Sequence, residues 1–276
     1  PEASQARCEI GLGRLTLGQG ARLFRQHQGH AVADRIGELG RGADQFLALL
    51  VIDQRPVGHG ADQHFQKARV DGGLALGIGV GHDLTHRLFN VRPGKPLEDI
   101  RAYVAQMRAA MEWTGPQAPV VMAALKDRMF DLAVDIADGV VTSRACSSYL
   151  AKQVAGIPAD RRKSGFFVGN SVPVVVDEDP ATALNVIRHS QVFYVGLPNY
   201  RNYWRSAGYV EEMDAVEAAL GRGEQDRIPG LLSETWLRNI ALYGTRAQVR
   251  EGIERYFDMG VTPILGPVAR DAGPSA

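Results

Sequence analysis

The chain has 276 residues, 45% hydrophobic and 22% charged, and its 31 basic and 31 acidic side chains cancel to a formal net charge of zero. That is an ordinary globular composition, long enough for one large domain or two small ones, and it offers no bulk electrostatic reason to expect a nucleic-acid or membrane-surface partner. No apolar run reaches bilayer-spanning length, the first residues lack the basic-then-apolar layout of a signal peptide, and two cysteines, Cys8 and Cys146, make no disulfide framework, so the expected compartment is the cytoplasm.

Residues 1–71 read differently from the rest. They hold no Trp or Tyr and a single lysine, Lys67, and they are rich in Arg, Gln, His and Gly. Phe46–Ile52 is their one clearly apolar stretch, and no helix start or stop signals line up with a periodic pattern. From Gly72 onward the text becomes orderly. Leu74–Gly81 reads as a short strand running into a Gly-rich turn. Pro96 opens a helix as an N1 proline, with Ile100, Val104, Met107 and Met111 on its apolar face. Pro119–Leu125 is an apolar strand, Arg128–Ala137 a helix and Val140–Ser143 the next strand.

Tyr149 to about Ala155 reads as helix, and Val172–Val176 as a strand with Pro173 near its start. Asp179-Pro180 supplies an N-cap and an N1 proline for a helix to about Val195. An aromatic cluster follows (Tyr200, Tyr203, Trp204, Tyr209), suited to core or subunit packing or to the lining of an apolar substrate pocket. Glu211–Leu220 is helical. Thr245 and Gln248 form a capping box, Gly260 ends that helix, and Val261–Leu265 is a last short strand. Strands alternating with helices predict a parallel sheet with helical crossovers. The organisation expected is an atypical segment over 1–71, an α/β domain over 72–270 and a tail over 271–276.

Few of these residues point to chemistry by themselves. Gly77–Gly81 followed by His82 fails the dinucleotide fingerprint, because His82 stands where a glycine is needed and no helix starts at once. It is either a tight turn or a backbone surface for a flat ring or a phosphate. Lys126-Asp127-Arg128 lies where a strand ends and a helix begins, where free N–H groups and the helix dipole favour an anion. Lys126 and Arg128 add positive charge, and Asp127 opposes it or caps the helix. His82 and His86 have the i, i+4 spacing of metal ligands without a third partner, so no metal is expected. No nucleophile elbow is present. Cys146 beside Arg144 reads as an ordinary half-buried thiol.

Taken together, four segments resemble the luciferase-like monooxygenase family: Leu74–Gly81, Arg92–Val104, Pro119–Leu125 and Leu132–Val140. Tyr243–Ile253 and Gly260–Thr262 resemble that family's closing helix and strand. Within the family, the chain is most similar to oxidoreductases that use the deazaflavin coenzyme F-420. The resemblance implies a (β/α)8 TIM barrel with its ligand at the carboxyl ends of the strands. It implies a flavin-like ring near Gly79, Val80, Gly81 and His82, and phosphate contacts near Ala123, Ala124, Lys126 and Arg128 and at the Asp138-Gly139 turn. The activity implied is hydride transfer between coenzyme F-420 and a small organic substrate, with FMN-dependent monooxygenation and an inactive remnant with residual cofactor binding as alternatives. A homodimer fits the family, and no catalytic acid or base is assigned. The family's first three strands should precede Gly72 and are not legible there. Residues 1–71 resemble a GC-rich gene translated in a wrong frame or from the opposite strand, so the barrel is expected to be incomplete or distorted.

Overall fold

The computed structural model describes residues 50–53, 74–81, 86, 94–114 and 118–268. The chain divides into two compact units after Val120. In the first, β1 (Leu50–Asp53) pairs antiparallel with β2 (Leu74–Ile78), from Leu50 opposite Gly77 to Asp53 opposite Leu74. The apolar stretch 46–52 thus contributes a strand, though an antiparallel one. α1 (Pro96–Thr114) begins at its proline with Glu98 and Asp99 in the first turn, where acidic charge complements the free N–H groups. Ile100 and Val104 are buried and Met107 is half-buried, as the periodicity requires; the side chain of Met111 lies outside the described set.

The second unit is a parallel α/β half-barrel. β3 (Val120–Ala123) leads through α2 (Asp127–Ile136) to β4 (Gly139–Ser143). α3 (Ser147–Ala155) and α4 (Ala159–Lys163) precede β5 (Phe167–Val176). A long helical excursion follows: α5 (Pro180–Ser190), α6 (Val192–Val195), α7 (Pro198–Ser206), α8 (Val210–Gly221), α9 (Ile228–Leu231) and α10 (Glu234–Ile240). Then β6 (Leu242–Gly244), α11 (Arg246–Asp258) and β7 (Thr262–Pro267) complete the unit.

β3–β4, β4–β5, β5–β6 and β5–β7 are all parallel pairs. Gly169 of β5 faces both Val141 of β4 and Thr262 of β7, and Val174 faces both Leu242 of β6 and Pro267 of β7. β4 and β6 therefore share one edge of the long β5, and β7 takes the other. Barrel order would instead place each strand between its sequence neighbours. β5 also starts five residues before the β-branched run that announces it, because Gly169, Asn170 and Ser171 interrupt its apolar pattern.

Local signals set the helix ends. Asp179 accepts from the Ala181 and Thr182 N–H groups, Thr245 and Gln248 form the reciprocal capping box, and Gly260 follows α11 with φ +74°, a conformation glycine adopts without steric cost. The expected helix to Val195 breaks at Gln191, which takes φ −89° and ψ −11° between α5 and α6. The core is strongly aromatic. Tyr203, Trp204 and Trp236 are fully buried, and the two indoles meet edge-on with centroids 4.8 Å apart, a favoured geometry for their quadrupoles. The cluster at 200–204 is thus core, seated by the buried face of α7. Among the described residues no helix is long and apolar enough to cross a membrane.

Candidate functional site

Parallel strands direct their carboxyl ends to one rim, where helix starts gather and ligands of such folds are held. Here β3 and β4 run in register, Ala123 opposite Val141, and the Ala124 N–H extends the ladder by donating to the Val141 carbonyl at 3.0 Å. The chain then turns into α2 with Lys126 at the N-cap, extended and without a side-chain cap bond. Asp127 does not cap its own helix. Its carboxylate accepts from the Tyr149 hydroxyl at 2.8 Å and the Gln153 amide at 3.0 Å, so it faces α3, and that bond raises the Tyr149 phenol above its usual range. Lys126 and Arg128 stand exposed beside it.

At the end of β4 the backbone turns sharply. Arg144 has φ +50°, and it is the only non-glycine residue with positive φ among those described. Such a conformation costs roughly 1–3 kcal/mol and persists where its surroundings over-determine it. Three bonds do so: the Arg144 N–H donates to the Ser171 carbonyl at 2.9 Å, the Trp204 indole donates to the Arg144 carbonyl at 3.1 Å, and the Ala145 N–H donates to Asn170 Oδ1 at 3.3 Å. The side chain is equally constrained. Its Nε donates to Gln191 Oε1 at 3.2 Å, its Nη1 to Ser143 Oγ at 3.3 Å, and the guanidinium lies 3.3 Å over the centre of the Tyr194 ring. Burial pulls this guanidinium below its ordinary pKa, partly opposed by Tyr194 and Tyr200. Burial in turn raises the Tyr200 phenol, against a bond with Ser143 that lowers it.

Beneath the rim sits a sealed polar knot. Asn170 is fully buried. Its Oδ1 also accepts from the Thr142 hydroxyl at 2.9 Å, and its amide donates to the Tyr256 hydroxyl at 3.2 Å. Cys146, next to the turn, is sealed in, and burial, then the Glu212 charge, push its thiol up to about 12. It is a packing residue, as its sequence context suggests. An open cleft of about 380 Å³ lies elsewhere, lined by Ser147, Ser148 and Asn239 among others, but these three satisfy one another through bonds of 2.8–3.0 Å.

The residues singled out from sequence fall in three places. Gly79, Val80 and Gly81 follow β2 in the first unit; the Val80 carbonyl bonds the His86 ring at 2.7 Å, and Gly81 has φ +69°. His82 lies outside the described residues. Ala123 (exposed), Ala124 (buried), Lys126 and Arg128 come together at the β3–α2 corner. Asp138 and Gly139 lie instead at the amino end of β4, level with Val121 and away from that corner. Gly139 is there for packing: a Cβ on it would stand 2.7 Å from that of Phe167 and 2.8 Å from its carbonyl oxygen. Ser143, Arg144, Gln191 and Tyr194 were not legible as a group, since up to 47 positions separate the bonded side chains. A basic residue directly after a strand and a break in the following helix are the only sequence traces of them.

Fold and rim define a partial (β/α) barrel with a basic, aromatic carboxyl edge. Residues 68–263 match the family described as luciferase-like monooxygenase, and the chain belongs to that family. Among solved structures, the coenzyme F-420 dependent tetrahydromethanopterin reductase of Methanopyrus kandleri aligns with a TM-score of 0.56 at 19% identity, over 74% of this chain and 70% of that one, a likeness of fold. An F-420-dependent secondary alcohol dehydrogenase, solved with an F-420–acetone adduct, aligns with a TM-score of 0.48 at 13% identity, over 71% of this chain and 64% of that one.

Proposed function

We propose that the chain is an oxidoreductase that binds coenzyme F-420 and exchanges a hydride between it and a small organic substrate. The observation that carries this is the β3–β4 carboxyl rim, where Lys126 and Arg128 follow the end of one strand and the half-buried Arg144 the end of its parallel neighbour. Coenzyme F-420 is a flat deazaflavin with a phosphate and an acidic tail, and these donors fit such a ligand in charge. Family membership, and the fold shared with an enzyme that is itself F-420 dependent, support the choice of coenzyme. When bound, the coenzyme supplies the hydride chemistry.

The chain's own residues do the holding. In this reading Ala123 and Ala124 offer short side chains and backbone at the strand end, Lys126 and Arg128 balance phosphate charge at the start of α2, and the buried aromatic wall behind Arg144 excludes water.

Titrating the full chain with coenzyme F-420 and, separately, with FMN tests it by ligand fluorescence. Saturable binding of coenzyme F-420 with FMN ignored is the expected result. Saturable binding of FMN alone would move the assignment to an FMN-dependent monooxygenase. No binding of either would leave a family member without a coenzyme.

A further inference from the structure

We propose that Arg144 is the receptor for an anionic oxygen group, a carboxylate or a phosphate, carried by the ligand of this rim. The inference deepens the function proposed above and rests on it only for the identity of that ligand. Its basis is a charge without a counter-charge among the described residues. Arg201, which is buried, pairs with Glu217 at 3.2 Å, and Arg205 pairs with Asp214 at 2.8 Å as well as with Glu217. Arg161 has no carboxylate, but it donates to the Val134 and Ala137 carbonyls at the negative end of α2. Arg188 donates to the Leu232 carbonyl.

Arg144 has neither kind of partner among the described residues. Among the described residues its guanidinium meets the Ser143 hydroxyl, the Gln191 amide oxygen, and the ring and hydroxyl of Tyr194, none of them a carboxylate. Half-buried charges in proteins are ordinarily compensated, and an uncompensated one at a binding rim marks a ligand contact.

Geometry points the same way. Hydrogen bonds from Nε to Gln191 and from Nη1 to Ser143, with the ring and hydroxyl of Tyr194, hold the guanidinium plane. A planar guanidinium fork held in this way is suited to paired oxygens. Because both backbone and side chain are already held, little conformational freedom is left to lose on binding.

The test uses the full chain, Arg144→Gln and Arg144→Lys, with native folding checked by near-UV circular dichroism. Sodium benzoate and inorganic phosphate are titrated at constant ionic strength while Trp fluorescence is followed, since the Trp204 indole donates to the Arg144 carbonyl. Wild type should saturate with at least one anion, Arg144→Gln should lose about tenfold or more in affinity, and Arg144→Lys should fall between. Coenzyme F-420 and a phosphate-free deazariboflavin are then compared. A loss confined to coenzyme F-420 assigns the anion to the coenzyme. Unchanged binding of both, with benzoate or phosphate lost, assigns it to the substrate. Failure of wild type to bind either anion, or equal binding by Arg144→Gln, would overturn the inference. Anion binding without any coenzyme binding would refute the proposed function and leave this inference standing.

Discussion

Replacing Asn170 by Ala should be among the most damaging single changes in the second unit, and its size follows from counting orphans. Asn170 is fully buried and engages three groups: the Thr142 hydroxyl, the Ala145 N–H and the Tyr256 hydroxyl. Thr142 would keep the Gly169 carbonyl as a partner. Ala145 N–H and the Tyr256 hydroxyl would be left with none. A buried polar group stripped of its partner costs about 1–3 kcal/mol, so Asn170→Ala should cost roughly 2–6 kcal/mol, a large part of the ~5–15 kcal/mol that holds a typical domain. The assay is equilibrium urea unfolding followed by Trp fluorescence, reading the shift in midpoint at unchanged slope. Tyr256→Phe supplies an internal control, because it removes one of the two orphans. The double variant should therefore cost less than the sum of the singles, by about 1 kcal/mol. A loss below about 1 kcal/mol for Asn170→Ala, or additivity of the pair within about 0.5 kcal/mol, would show that water or local relaxation satisfies these groups and that the knot does not hold the turn.

Gly139→Ala should destabilise by about 1–3 kcal/mol, because the added methyl meets the Cβ and carbonyl oxygen of Phe167 at 2.7 and 2.8 Å; a thermal melt unchanged from wild type would contradict that. Cys146, its thiol raised to about 12 by burial and then by Glu212, should resist iodoacetamide at pH 8 in the native chain and react once unfolded. Peptide mass spectrometry separates it from Cys8, and native labelling at Cys146 would refute the sealed site. Glu217 is exposed, and bonds from Arg205 and then Arg201 hold its carboxyl below the usual range. A lowered native pKa contributes stability above the ordinary carboxylate value that is lost as pH falls through the lowered one. The gap in stability between wild type and Glu217→Gln should therefore narrow below about pH 4, whereas a gap constant with pH would assign it to packing.

What could be read from the chain was whatever its signals encode locally. Pro96, Asp179-Pro180, the Thr245–Gln248 box and Gly260 each mark a helix end through bonds spanning four residues or fewer, and each stands where expected. The apolar segments around α2 likewise yield β3 and β4 within about two residues. Where a residue answers to distant partners, the local text misleads. Gly169, Asn170 and Ser171 break the apolar pattern, yet they belong to β5, where the Asn170 amide is satisfied from β4, from the Ala145 turn and from α11. Pro198 announces α7 as plainly as Pro180 announces α5, but the aromatic residues behind it draw the eye to composition instead of to the element. At the candidate site, Lys126 and Arg128 were legible because strand and helix meet within one short segment. Arg144 was not, since Gln191, Tyr194 and Trp204 reach it only after the chain has built β5 and two further helices.

That distance also says why a turn of this kind can hold an arginine. Glycine would adopt φ +50° freely, and arginine there must be offset by something. The offset is entirely non-local: a β5 carbonyl, an indole from α7 and a buried amide from β5 fix the backbone, and Gln191 and Tyr194 fix the guanidinium. The backbone bonds would serve any side chain, while the Tyr194 ring favours a cation at position 144. Held half-buried without a carboxylate among the described residues, that charge is disfavoured by desolvation. Folding alone explains the turn, and the anion proposed for Arg144 would give the charge that the turn presents a second partner beside Tyr194.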